Sequence, residues 1–143
     1  MSAVYWGEGA LDDRQRTRRK HVFAVNSSPD FLLIMREVLT DEGYAVTTSD
    51  FEPRVFTRIV MRHPDALIID LAPGESVGWD LLRRLFLEAK TTDIPVLVTS
   101  TSPAPLEQAL EEAARYGTNR SFLTKPMDLD ELVRTIREMV GDA

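Results

Sequence analysis

The 143-residue chain contains no cysteine, so disulfides and thiolate metal centres are both excluded. It has no long hydrophobic run either. Its apolar stretches, such as residues 66–69 and 96–98, fall far short of the ~20 residues that cross a bilayer. The seven glycines are scattered, and none completes G-x-G-x-x-G or a P-loop, so a glycine-rich phosphate cradle is missing. Positive charge is not in excess. The formal net charge of −6 argues against broad nucleic-acid binding. The N-terminus carries Glu8, Asp12 and Asp13 and no apolar run, unlike a secretory signal. No internal repeat or low-complexity tract occurs. These absences leave a cytoplasmic protein as the expectation, with neither membrane nor direct nucleic-acid contact.

Hydrophobic residues make up 43% and charged residues 28%, enough for one domain with a core that needs no covalent staple. Residues 1–20 stand apart, because they show no helical or strand period and end in Arg14, Arg16, Arg18, Arg19 and Lys20. They are expected to form a solvated tail. Tyr5 and Trp6 keep open a second reading, a basic arm anchored on an acidic partner. Residues 21–143 form the domain.

From His21 onward, short apolar runs alternate with amphipathic segments. Residues 22–25 read as a buried strand. Ser28 is placed to N-cap a helix with Pro29 at its first position. Phe31, Ile34, Met35, Val38 and Leu39 give that helix one apolar stripe, and Gly43 can close it in a left-handed conformation. Residues 44–48 are β-branched and aromatic enough for strand two. Val55, Phe56, Ile59 and Val60 mark a second helix that Pro64 stops, and residues 66–70 form strand three. Leu81, Leu82, Leu85, Phe86 and Ala89 mark helix three. Residues 94–99 are strand four, entered through Pro95. Leu106, Ala109, Leu110 and Ala113 mark helix four, and residues 122–124 a short strand five. Asp128 is placed to cap helix five, with Glu131 in capping-box position. Leu129, Leu132, Val133, Ile136 and Val140 supply its stripe.

Near-continuous apolar strands imply burial on both faces, hence a parallel sheet covered by helices on each side. Right-handed crossovers leave few topologies for five such units. The economical one is a doubly wound, flavodoxin-like α/β fold of order 2-1-3-4-5, whose ligand crevice lies beyond the C-terminal strand ends. Asn26 and Ser27, Asp70, Ser100 and Lys125 all fall there. Each alone is weak evidence, since Asp and Ser often finish strands merely as turn formers. Their convergence is more informative.

The segment from Ala66 through Asp70 and Gly78 to Leu82 resembles the phosphoacceptor region of two-component receiver domains, with Asp70 as the acceptor. Residues 94–100, Ile-Pro-Val-Leu-Val-Thr-Ser, resemble the fourth strand of that family and place its hydroxyl on Ser100. Residues 122–132 resemble its fifth strand and last helix, placing the family lysine on Lys125 and the switch aromatic on Phe122. The resemblance runs from about residue 21 to 140. It implies an acyl phosphate formed on Asp70, assisted by a divalent metal, a lysine and a hydroxyl. It further implies Mg²⁺ held by the acceptor, by one member of an acidic pair after strand one and by the carbonyl of Ala72.

Here the chain departs from the family pattern. Asn26 and Ser27 stand where the two acids are expected, Pro73 comes one residue early, and Thr101 replaces a small residue. With one carboxylate and one lysine, the pocket is close to neutral. Mg²⁺ usually takes one or two carboxylates and keeps several waters. At an effective dielectric near 20, a unit charge 4 Å from another contributes ~4 kcal/mol. Halving that for screening still weakens the metal by ~30-fold per lost carboxylate. A weak or absent Mg²⁺ site is therefore expected.

Two readings of function follow. One is a signalling module that acts through protein contact, with weak or no phosphorylation at Asp70. The other is a phosphoryl-accepting regulator that uses Asp70 with Mg²⁺. A small-ligand binder on the same scaffold is disfavoured by the missing glycine-rich cradle. No catalytic turnover is expected beyond phosphoryl acceptance on Asp70. The expected partners are a sensor kinase or a downstream signalling protein; either the domain acts by touching another protein, or residues 1–143 are part of something longer. A homodimer would use the family's pairing face, here residues 106–115, Phe122 and residues 129–139.

Overall fold

Five parallel strands in the order β2-β1-β3-β4-β5 form the sheet, as the alternation of buried runs and amphipathic segments predicts. The strands are β1 (His21–Val25), β2 (Ala45–Ser49), β3 (Ala66–Asp70), β4 (Val96–Ser100) and β5 (Arg120–Thr124). The helices are α1 (Pro29–Asp41), α2 (Val55–Arg62), α3 (Val77–Leu87) and α4 (Leu129–Val140). The structure is a computed structural model. It describes residues 19–72, 75–100, 107, 108, 111, 114 and 128–143, together with the backbone of 120–124. The helix expected over residues 106–113 lies largely outside the described residues; within it, residues 107, 108 and 111 are helical.

Every residue of β3 and β4 is buried, whereas β2 is mostly half-buried because it is the edge strand. Strand alternation sorts the core into two clusters. Phe23, Val25, Leu67, Ile69, Val96 and Val98 face α2 and α3. Val22, Ala24, Ala66, Ile68 and Leu97 face α1 and α4. Each helix therefore needs only one apolar side.

The local signals place these helices well, with some differences in detail. Ser28 caps α1 by accepting from the Phe31 amide, Pro29 opens the helix, and Gly43 has φ +99°. The buried stripe of α1 is Leu32, Met35 and Leu39, however, and Ile34 is 44% exposed. The expected stripe was rotated by part of a turn, because Phe31 and Val38 only flank the contact with the sheet. α2 ends at Arg62 with His63 as its C-cap, directly before the Pro64 that stops it. His63 adopts φ 45° there, left-handed as the residue closing a helix often is. α3 starts at Val77 and stops at Leu87, leaving Ala89 exposed beyond it. Asp128 caps α4 by accepting from the Asp130 amide at 2.9 Å, one residue earlier than a capping box requires.

The end of the chain folds back onto the α1–β2 turn. The Tyr44 hydroxyl donates to the Gly141 carbonyl at 2.8 Å, and Arg137 pairs with both Glu42 and Asp142 at 2.8 Å. These ion pairs are exposed and contribute little individually. The buried ring of Tyr44 contributes more.

Candidate functional site

The strands end in step at their C-terminal side. Val25 is in register with Ser49 and Ile69, and Asp70 with Thr99. Side chains just beyond these positions therefore line one rim of the sheet, where an open α/β fold presents its crevice.

Asn26 continues β1 by one residue: its amide donates to the Ser49 carbonyl at 3.1 Å. Its side chain is 2% exposed, and Oδ1 accepts from the Ser28 amide at 2.8 Å. This is an Asx-type turn, in which a side-chain amide does the work of a backbone carbonyl. It delivers the chain into the Ser28 cap of α1. Ser27, between them, is exposed. Asp70 closes β3 at 8% exposure. Thr99, fully buried, donates its hydroxyl to Asp70 Oδ1 at 3.0 Å. The Leu71 amide donates to the Thr99 carbonyl at 2.8 Å, so the two strands remain clamped at the carboxylate.

Ser100 is also fully buried, but strand alternation puts Thr99, not Ser100, on the side that Asp70 takes. The Ala72 carbonyl accepts from the Glu75 amide at 3.2 Å, closing the turn that leads into α3. Gly78 then lets the first turn of α3 settle directly on the end of β3. A Cβ there would lie 2.8 Å from the Asp70 carbonyl oxygen and 3.0 Å from Leu71 Cδ2. Phe122 is described only in its backbone, in register with Val98, and Lys125 lies outside the described residues.

The four positions that the family pattern assigns to a metal thus bring one carboxylate. Asn26 Oδ1, Asp70 Oδ1 and the Ala72 carbonyl each already accept a hydrogen bond from the protein. Among the described residues no cluster of three or more His, Asp or Glu side chains is placed to hold a metal. This donor set fits a resident Mg²⁺ poorly.

The residue that sequence reasoning missed is Thr99. Its sequence signal is faint, since a threonine inside an apolar strand ordinarily reads as packing. Only the pairing of β3 with β4 reveals its partner.

Comparison with known proteins agrees with this geometry. Residues 22–137 match the model of the response regulator receiver domain. The two-component response regulator ORR3 of Oryza sativa subsp. indica is 30% identical over 123 residues, covering 84% of this chain and 90% of its own. The polar-differentiation response regulator DivK of Brucella ovis is 25% identical, with 87% and 98% covered. Among solved structures, the chemotaxis protein CheY4 of Vibrio cholerae superposes with a TM-score of 0.71 at 21% identity, over 85% of this chain and 98% of that one. A response regulator structure from Chloroflexus aurantiacus gives 0.68 at 27% identity, with 85% and 98% covered.

Proposed function

Because the chain belongs to the response regulator receiver domain family, we propose that within two-component signalling it works chiefly through protein contact, with Asp70 a poor phosphoryl acceptor. The observation that carries this reading is Asn26. It occupies the place of an acid, is buried, and commits its oxygen to the Ser28 amide. A phosphoryl group brings heavy negative charge to a nucleophile that is itself negative. Such a charge calls for compensation by a metal, and the single carboxylate among the assigned ligands offers a metal little hold.

On this reading, residues 21–143 are the signalling domain and residues 1–20 a tail. Lys125 and Ser100 are the groups carried over from the family to meet an incoming phosphoryl, and Phe122 is the switch aromatic. The partners are a sensor kinase or a downstream signalling protein, in the cytoplasm. Self-association would use the family's pairing face, which falls on residues 106–115, Phe122 and residues 129–139. No helix among the described residues is long and apolar enough to cross a membrane.

Intact-mass measurement after incubation with acetyl phosphate and millimolar Mg²⁺ tests the proposal. Little adduct is expected on the parent, and none on Asp70→Asn. Rapid and near-complete modification of the parent would overturn it in favour of an ordinary phosphoryl-accepting regulator.

A further inference from the structure

The hydroxyl of Thr99 points at Asp70, the candidate phosphoryl acceptor of the rim. It is fully buried, it sits in register with Asp70 on the neighbouring strand, and it donates to Oδ1 at 3.0 Å. Its backbone carbonyl holds the Leu71 amide, so the hydroxyl and the carboxylate are fixed by the same stretch of ladder. A donor so placed cannot swing into water. Ser100, to which the family pattern assigns the hydroxyl role, lies one residue further along.

We propose that Thr99 is a positioning residue that sets how long a phosphoryl group stays on Asp70, holding the carboxylate in its free form. The inference rests on Asp70 accepting a phosphoryl group, however poorly.

The chemistry follows from charge. In the forward step, the second oxygen of the Asp70 carboxylate uses a lone pair to form a bond to the phosphorus of a small acyl phosphate. The bond from phosphorus to the donor's carboxylate oxygen breaks, and that carboxylate leaves with the electron pair. In the return step, water adds to phosphorus, the phosphorus–Asp70 oxygen bond breaks, and Asp70 recovers the electron pair. Inorganic phosphate departs, and the protons of water pass to it and to solvent. Oδ1 bears a share of a full negative charge before acceptance and after hydrolysis, but is a neutral acyl oxygen in between. A hydrogen bond to a charged oxygen is stronger than one to a neutral oxygen. The Thr99 hydroxyl thus stabilises both carboxylate ends of the cycle more than the adduct. It makes Asp70 a weaker nucleophile and a better leaving group.

Thr99→Val removes the donor and keeps the shape; Thr99→Ser keeps the donor. With acetyl phosphate at a fixed concentration, Thr99→Val should carry about fivefold more adduct at steady state than the parent, the size expected from losing part of one charge-assisted hydrogen bond. After acetyl phosphate is removed, the Thr99→Val adduct should decay more slowly by part of that factor, the rest lying in faster acceptance, while Thr99→Ser should track the parent in both measurements. Equal adduct levels and equal decay in Thr99→Val and the parent would overturn the proposal, as would a Thr99→Ser variant that behaves like valine. A double-mutant cycle of Thr99→Val with Asp70→Ala, read by urea melts, tests the contact without any phosphoryl chemistry. Its coupling should be clearly non-zero. Zero coupling would sink the positioning role itself. Clear coupling with no adduct on either protein would instead remove the phosphoryl-accepting premise, and the lifetime role with it.

Discussion

Replacing Gly78 with alanine should destabilise the domain, although alanine is the better helix former. Gly78 is the second residue of α3, and an added Cβ would stand 2.8 Å from the Asp70 carbonyl oxygen. Restoring an ordinary 3.4 Å contact requires a shift of about 0.6 Å. The carbonyl cannot supply it, because β3 is paired on both sides, with β1 and β4. α3 must therefore lift, loosening the contacts of Leu81, Leu82, Leu85 and Phe86 with the core. Overpacking of this kind costs ~1–3 kcal/mol. The intrinsic gain of alanine over glycine, ~1 kcal/mol in a helix interior, is smaller this close to the helix start. A net loss of ~1–2 kcal/mol should remain, a fall in Tm of roughly 5 °C for a domain of this size. Urea melts would report it as a lower midpoint with an unchanged slope. An alanine variant as stable as the parent, or more so, would refute the close approach and leave Gly78 an ordinary helix residue.

Other consequences can be checked by melts alone. Asn26→Asp with Ser27→Asp should lower stability in EDTA, through repulsion with Asp70, and create a strong Mg²⁺ dependence worth ~2.7 kcal/mol at a hundredfold excess over Kd. The parent should show little such dependence; equal stabilisation of both proteins would mean that Asn26 and Ser27 suffice as ligands. Tyr44→Phe should cost about 1 kcal/mol by leaving the Gly141 carbonyl without its donor. Burial raises the Tyr44 phenol above its ordinary value, so the stability it contributes is intact below pH ~10 and is lost as pH rises through the raised value; Tyr44→Phe should flatten that alkaline limb. Burial, then the charge of Arg62, lower the His21 pKa against the opposing effect of Asp65, and its ring nitrogen meets the Thr47 hydroxyl at 2.7 Å. Since the folded state resists the proton, stability should be full above pH ~6.5 and fall as pH drops through the lowered value, and His21→Gln should lose that dependence.

Much of the molecule is written in short-range patterns. Ser28 and Pro29 start α1, Gly43 follows its end, and the run from Ala66 to Asp70 gives β3 its bounds. Alternating buried runs and amphipathic helices imply a doubly wound parallel sheet, because only helices on both faces can cover strands that lack a polar side. The position of Asp70 at a strand end follows from the same reasoning, whereas an acid expected at Asn26 is read only from the resemblance to receiver domains. Caps, turns and periods act within a few residues, so a linear reading can find them. What tertiary structure decided depends on pairs distant in the chain. The pairing of Asp70 with Thr99, 29 residues away, made a threonine in an apolar strand the partner of the nucleophile. Packing against the sheet chose Leu32 over Ile34 for the buried side of α1, a matter of a fraction of a turn that helical period alone leaves open. The contact of Gly78 with the Asp70 carbonyl exists only once α3 lies on β3. Register and close approach are set by the assembled sheet, and no single segment encodes them.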